Sequence, residues 1–224
     1  MTPLELTGQI RTHLVDATDA GGALHARAAP AFIQLRRAAG AAGFDLVPVS
    51  GFRDFERQLD IWNGKFKGER PLFDRRGHLL AALELSPAER VEAILGWSAL
   101  PGASRHHWGT DLDLIDRKAV PAGYRVLLTA EEYADGGPFG RLVRWLEREA
   151  PRFGFFRPFR GIRSGAAAEP WHYSFAPVAE AARRALTPAV LATALAGAPL
   201  EGRDEVLPRL KELHRRYVAR IDWP

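Results

Sequence analysis

Between Ser104 and Asp113 the chain reads Ser-Arg-His-His-Trp-Gly-Thr-Asp-Leu-Asp, its densest gathering of imidazoles and carboxylates. A catalytic zinc site draws three protein ligands from His, Asp, Glu or Cys and keeps one position open. The sequence contains no cysteine, so a thiolate site is excluded and such an ion must be held by His and carboxylate. His106 and Asp113 are the candidate pair. After Gly109, Thr110, Leu112 and Leu114 fall on one side of an extended segment, with Asp111, Asp113 and Ile115 on the other. A strand that buries both carboxylates without partners is strongly disfavoured, and a cation would relieve it. Gly109 permits a tight turn that brings His106 back to the strand. On an extended chain the neighbouring His107 points away from His106 and takes a packing or supporting role.

A third ligand is offered by Glu169-Pro-Trp-His-Tyr-Ser-Phe175. If that segment is extended, Trp171, Tyr173 and Phe175 share one face while His172 and Ser174 share the other, so the aromatic side packs and the imidazole faces a site. Glu169, just before the strand, is placed to take a proton from a metal-activated water and pass it to a leaving amine.

The pattern Ser-x-His-x-x-Gly-x-x-x-Asp followed by Glu-x-Trp-His resembles the VanY-like D-alanyl-D-alanine carboxypeptidases, within the wider lysostaphin, D-Ala-D-Ala peptidase and hedgehog-type metallopeptidase group. That family's further hallmark, Ser-Gly-Tyr/Phe-Arg with a Gln shortly after, is matched by Ser50-Gly51-Phe52-Arg53 and Gln58. The motifs run in the family's order from Ser50 to His172, and Asp111 departs from the small residue often found at its position. The resemblance implies one Zn2+ per chain on His106, Asp113 and His172, with Glu169 as the base and Arg53 steadying the oxyanion of the tetrahedral intermediate. It also implies Gln58, Ser104, Ser50 and Trp171 around the substrate, a peptidoglycan stem peptide or muropeptide ending in D-Ala. The cut is then a D,D or an L,D bond. A catalytically silent zinc-containing binding module and an endolysin-like endopeptidase are the alternatives, and the presence of both Glu169 and Arg53 argues against the silent module.

These side chains need positioning elements. The spacing predicts a helix over 28–42 with Phe32, Leu35 and Ala39 on one face, Arg36 and Arg37 in water, and Gly43 as its stop. A buried strand over 44–49 leads into Arg53. Asp54 caps a helix to Phe66 through Phe55, Leu59 and Trp62, and 64–83 has no clear period and reads as a long loop beside the cleft, with His78 a solvated side chain. Ser86-Pro-Ala-Glu89 is a capping box for a helix to Trp97, and Leu100-Pro-Gly-Ala103 ends it and delivers Ser104. A short helix starts at Thr129, an amphipathic helix spans 139–149 with Leu142, Val143, Trp145 and Leu146 inward, and a strand or edge strand spans 153–159. Helices over 178–186, 188–196 and 206–218 form a C-terminal pack without chemistry, with His214 at the surface.

The chain has 224 residues, 46% of them hydrophobic, and a net charge of +4. That length suits one metallopeptidase domain over 1–224, with the site core about 44–176 and the helical pack about 177–224. The expected fold is α+β, a small, mostly antiparallel sheet carrying the zinc site and wrapped by helices. No basic stripe interleaved with aromatics suggests nucleic acid, and no apolar run approaches the roughly twenty residues of a membrane span. The first residues lack a basic start, an apolar run and a cleavage site, so the sequence as written reads as cytoplasmic, or as periplasmic or extracellular if a leader has been trimmed from it; the first reading tilts the substrate slightly toward the L,D bond of a recycled tetrapeptide.

Overall fold

The computed structural model describes residues 1–18 and 21–223. A Thr2–Glu5 capping box starts helix α1 (Pro3–Leu6). A hairpin of β1 (Leu14–Ala17) and β2 (Gly22–His25) leads to α2 (Ala28–Ala41), which buries Phe32, Leu35 and Ala39 and stops before Gly43. Strand β3 (Leu46–Ser50) delivers the segment to Arg53, and Asp54 accepts from Arg57 N to cap α3 (Phe55–Phe66). A small hairpin, β4 (Leu72–Phe73) and β5 (Leu79–Leu80), precedes α4 (Pro87–Trp97), which the Ser86–Glu89 box starts as its sequence predicts. Strand β6 (Asp111–Asp116), short helix α5 (Ala130–Tyr133), amphipathic α6 (Gly140–Glu149), and strands β7 (Phe155–Phe156) and β8 (His172–Phe175) complete the centre. Helices α7 (Ala176–Ala185), α8 (Pro188–Leu195), α9 (Arg203–Val206) and α10 (Leu210–Leu213) close the chain.

The organising unit is a four-stranded sheet in the order β3-β6-β8-β7, antiparallel at every pairing. The fold is thus α+β, with helices around a small antiparallel sheet. One sheet face packs Leu112, Leu114, Tyr173 and Phe175 against Phe32 and Leu35 of α2 and Leu142 and Leu146 of α6. The alternation of β6 and β8 turns Asp111, Asp113, His172 and Ser174 to the other face. Register finishes the placement, because Asp113 stands opposite Ser50 on one neighbour and His172 on the other. A second apolar cluster joins α3, α4 and the C-terminal helices around Trp62, Ile94 and Leu191, all fully buried. Each such side chain contributes about 1.5–3 kcal/mol by leaving water, and this pack backs the wall of the site that α3 forms.

Several expectations are corrected. The strand before Arg53 is an edge strand; only Leu46 is buried and Val49 is 46% exposed. Arg36 is half-buried and donates to Leu46 O at 2.8 Å, tying α2 to β3. The 64–83 stretch contains the β4–β5 hairpin, whose two-residue strands are too short to show a period. The helix expected over 206–218 is broken around Pro208 and ends as a π-helical segment, His214–Ala219. His214 is half-buried, with Nε2 2.6 Å from Leu186 O. Among the described residues no helix is long and apolar enough to cross a membrane.

Candidate metal centre and its surroundings

His106 does not lie on an extended chain. Arg105–Trp108 forms a 3-10 turn that ends at Gly109 with φ +64°. A Cβ at Gly109 would lie 2.4 Å from Leu14 Cδ2 and 2.7 Å from His25 N, so both conformation and the close approach of β2 demand glycine. This turn sets His106 against the start of β6.

The side chains of His106, Asp113 and His172 are buried, and one ligand atom from each lies within 4.8 Å of the others. His106 Nδ1 is 2.8 Å from Gly51 O, a contact in which the ring must donate. Its Nε2 lone pair is thereby left facing the site, 3.5 Å from Asp113 Oδ2. Burial, reinforced by Arg53 and His172, holds His106 well below the ordinary imidazole range. His172 is oriented from behind in the same manner, with Nε2 2.9 Å from Asp111 Oδ1. Its Nδ1 faces Asp113 Oδ1 at 3.4 Å and Glu169 Oε2 at 3.1 Å. Burial opposes charging His172, yet the hydrogen bonds to Asp111 and Glu169 outweigh it and push the ring up to about 10. Burial also pushes the Asp113 carboxyl up, to about 6.

This donor set fits a zinc ion. Asp113 Oδ1 is buried without a hydrogen-bond partner, and each imidazole has its far nitrogen engaged by an acceptor, as ligating histidines do. The carboxylates of Asp113 and Glu169 converge on His172 Nδ1, where a bound cation would satisfy both.

Asp111, expected to share that cation, has another partner. It accepts from Arg105 Nε at 2.7 Å, Thr110 Oγ1 at 2.6 Å and Ser174 Oγ at 3.0 Å, and it is fully buried. Burial alone would raise its carboxyl, but Arg105 and His172 outweigh it and hold it well below the usual range. Arg105 also donates to Ser174 Oγ at 2.6 Å and stacks over Trp108. Asp111→Ala would leave Arg105 a buried charge without its counter-ion, a change that costs about 3–5 kcal/mol. Urea unfolding of the variant is expected to show that loss, and a loss below about 1 kcal/mol would contradict the buried-pair account.

The remaining predicted residues fall around this group. Arg53 donates from Nη1 to Gln58 Oε1 at 2.8 Å and from Nη2 to Ser50 Oγ at 3.1 Å. Burial lowers its pKa, and Asp113 and Glu169 counter that effect. Gln58 is fully buried and its Nε2 donates to Ala99 O at 2.7 Å, so the amide braces Arg53 and has no face toward the cleft. Ser104 is buried, and its hydroxyl makes no hydrogen bond among the described residues. Trp171 is 5% exposed and packs on Tyr133, with ring centroids 5.4 Å apart, so its ring props the sheet. His107 supports the turn, as Nδ1–H donates to Arg53 O at 2.6 Å and Nε2 accepts from Gly102 N at 3.1 Å.

Sequence reasoning missed the anchor of the segment before Glu169. Asp222, near the C-terminus, accepts from Arg160 N at 2.7 Å and Arg163 N at 2.8 Å, and its own N–H donates to Pro158 O. Phe159 in that segment packs edge-on against His172, with centroids 5.0 Å apart, and its carbonyl accepts Glu169 N at 2.9 Å. Nothing local to Asp222 signals this contact, since its partners lie some sixty residues earlier.

The family model for VanY, D-alanyl-D-alanine carboxypeptidase, matches residues 21–178, which contain every residue of the group above except Asp222. A Haemophilus influenzae protein, named only as uncharacterized, is 36% identical over 122 residues, covering 54% of this chain and 93% of that protein. Among solved structures, VanYB in complex with D-alanine-D-alanine is similar at TM-score 0.55 and 26% identity, over 79% of this chain and 83% of that one. A mutant of the vancomycin-resistance D,D-pentapeptidase VanY in complex with Zn(II) is similar at TM-score 0.52 and 25% identity, over 86% and 88%. With a model match that covers most of its length and takes in both the turn at His106 and the strand at His172, the chain belongs to the VanY family of D-alanyl-D-alanine carboxypeptidases.

Proposed function

We propose that the chain is a single-domain zinc carboxypeptidase that removes the C-terminal D-Ala from peptidoglycan stem peptides. The observation that carries this reading is the buried His106–Asp113–His172 group with Glu169 Oε2 at its edge, 3.1 Å from His172 Nδ1, and the Arg53 guanidinium close to both acids. A solved relative that holds D-alanine-D-alanine and another that holds Zn(II) support the substrate and the metal.

His106 Nε2, Asp113 and His172 Nδ1 would hold a zinc ion, which would supply Lewis acidity at this site. His172 would ligate as a neutral imidazole, and Glu169 Oε2, beside its Nδ1, would accept the proton of the attacking water. Glu169 returns that proton to the departing amine. Arg53, permanently charged and held by Ser50 and Gln58, stabilises the oxyanion of the tetrahedral intermediate. The free hydroxyl of Ser104 is available to the substrate's terminal carboxylate. Gln58 acts through Arg53, and Trp171 acts through the strand it supports.

The test is to incubate zinc-loaded protein with purified stem pentapeptide and tetrapeptide, with and without a chelator, and read the products by mass. Loss of one alanine, abolished by the chelator, is expected. Loss from the pentapeptide alone marks a D,D-carboxypeptidase, and tripeptide from the tetrapeptide marks an L,D enzyme. No cleavage of either, with zinc still bound, would replace this reading with a binding module.

A further inference from the structure

Lys65 stands in the last turn of α3, seven residues beyond Gln58, so the two share one stripe of the helix. It is half-buried, and its side chain makes no hydrogen bond or ion pair among the described residues. Its ammonium nevertheless interacts electrostatically with Glu169, Arg53 and Arg70. Those residues come from the segment before β8, the segment after β3 and the segment after α3, so the ammonium lies within electrostatic reach of all three. Arg70 is also half-buried and lies against the helix, since a Cβ at Gly64 would come within 2.9 Å of its Cδ and Nε. Its guanidinium, too, has no acidic partner among the described residues.

Burial brings the Lys65 ammonium down to about 8; Glu169 opposes that shift, while Arg53 and Arg70 add to it. A cation at a helix C-terminus can serve the helix dipole, but Lys67 already stands there, exposed and 3.1 Å from Glu69. Lys65 is turned inward, beside a second cation, and an anionic ligand would satisfy both.

We propose that Lys65, with Arg70 beside it, is a subsite for a second carboxylate of the substrate peptide, carried upstream of the released residue. This inference rests on the peptidase reading above and specifies its substrate as a peptide with an upstream acidic group. Seven residues of helix rise about 10.5 Å. An extended peptide advances about 3.3 Å per residue, so a chain whose end lies near Arg53 and Ser104 meets Lys65 about three residues upstream. A stem peptide offers two carboxylates in that range, one on a diamino acid and the α-carboxylate of a γ-linked glutamate. Both present the same chemistry to an ammonium and a guanidinium.

The experiment uses the zinc-loaded protein and stem peptides in three forms, with both upstream carboxylates free or with each amidated in turn. For wild type, amidation of the carboxylate that binds is expected to raise KM about tenfold, the scale of one charge-assisted contact, with kcat within about twofold; which amide has this effect identifies the source. Lys65→Met is expected to raise KM for the free form by a similar factor and to change it little for that amide. Lys65→Arg, which keeps the charge, should retain most of the discrimination. A Lys65→Met loss that is equal for free and amidated peptides, or that falls on kcat, would mean that the residue acts through Glu169 or through the fold and would overturn the proposal. Equal KM values for all three forms in wild type would overturn it as well. If wild type cleaves none of the forms, the peptidase reading itself fails, and this inference with it.

Discussion

Glu169→Ala is expected to lower kcat by about 10²–10⁴-fold, the range for loss of a general base, while zinc stays at one per chain. The size of the effect follows from the lack of a substitute. Asp113 is engaged as a ligand in the proposed site, and Asp111 is enclosed by Arg105, Thr110, Ser174 and His172. Among the described residues no further carboxylate belongs to the buried group. The fold should survive, because the backbone contacts of Glu169, its N–H to Phe159 O and its carbonyl to His172 N, do not depend on the side chain. Turnover of the cleaved stem peptide, metal content and circular dichroism together test this. Unchanged turnover with a normal spectrum would remove Glu169 from the mechanism.

How much of this is legible in the sequence depends on the range of each interaction. The period-two alternation around Asp113 and around His172 is local, and it sorts side chains to the correct sheet face without knowledge of the partner strand. The capping boxes at Ser86 and Thr129 are equally local, and they mark where α4 and α5 begin. Register is not local. That Asp113 sits level with both Ser50 and His172 is set by pairing across three strands. The same limit explains Asp111: a carboxylate facing inward reads as one that a cation would relieve until Arg105, from a 3-10 turn that looks extended in sequence, is seen to neutralise it. Gln58 and Trp171 carry the right chemistry for a substrate contact, and only packing reveals that one braces Arg53 and the other supports β8. Asp222 lacks any local signal because its partners lie some sixty residues earlier, and nothing near Lys65 in sequence tells that Glu169 comes within its electrostatic reach.

Adjacent histidines provide the sharpest test of the metal site, because His106→Ala and His107→Ala are expected to differ in kind. Removal of His106 leaves Asp113 and His172 as the only members of the group. Zinc affinity should fall by more than the 10–100-fold typical of losing an outer partner, enough to leave the purified protein without stoichiometric zinc and without peptidase activity. His107 is just as buried, yet both its nitrogens are engaged away from the site, one donating to Arg53 O and the other accepting from Gly102 N. Burial lowers its pKa to about 4, so it is a neutral brace at neutral pH. His107→Ala opens a cavity and breaks those bonds, which costs about 1–3 kcal/mol of stability, but the His106 Nε2 position and the zinc should persist. Metal analysis by mass spectrometry and chelator competition on the two variants separate the cases. Stoichiometric zinc in His106→Ala would strike His106 from the ligand set. Zinc lost from a folded His107→Ala would show that the 3-10 turn, and not the donor atom alone, holds the ion, because a shifted turn moves Nε2 away from Asp113 even with the imidazole intact.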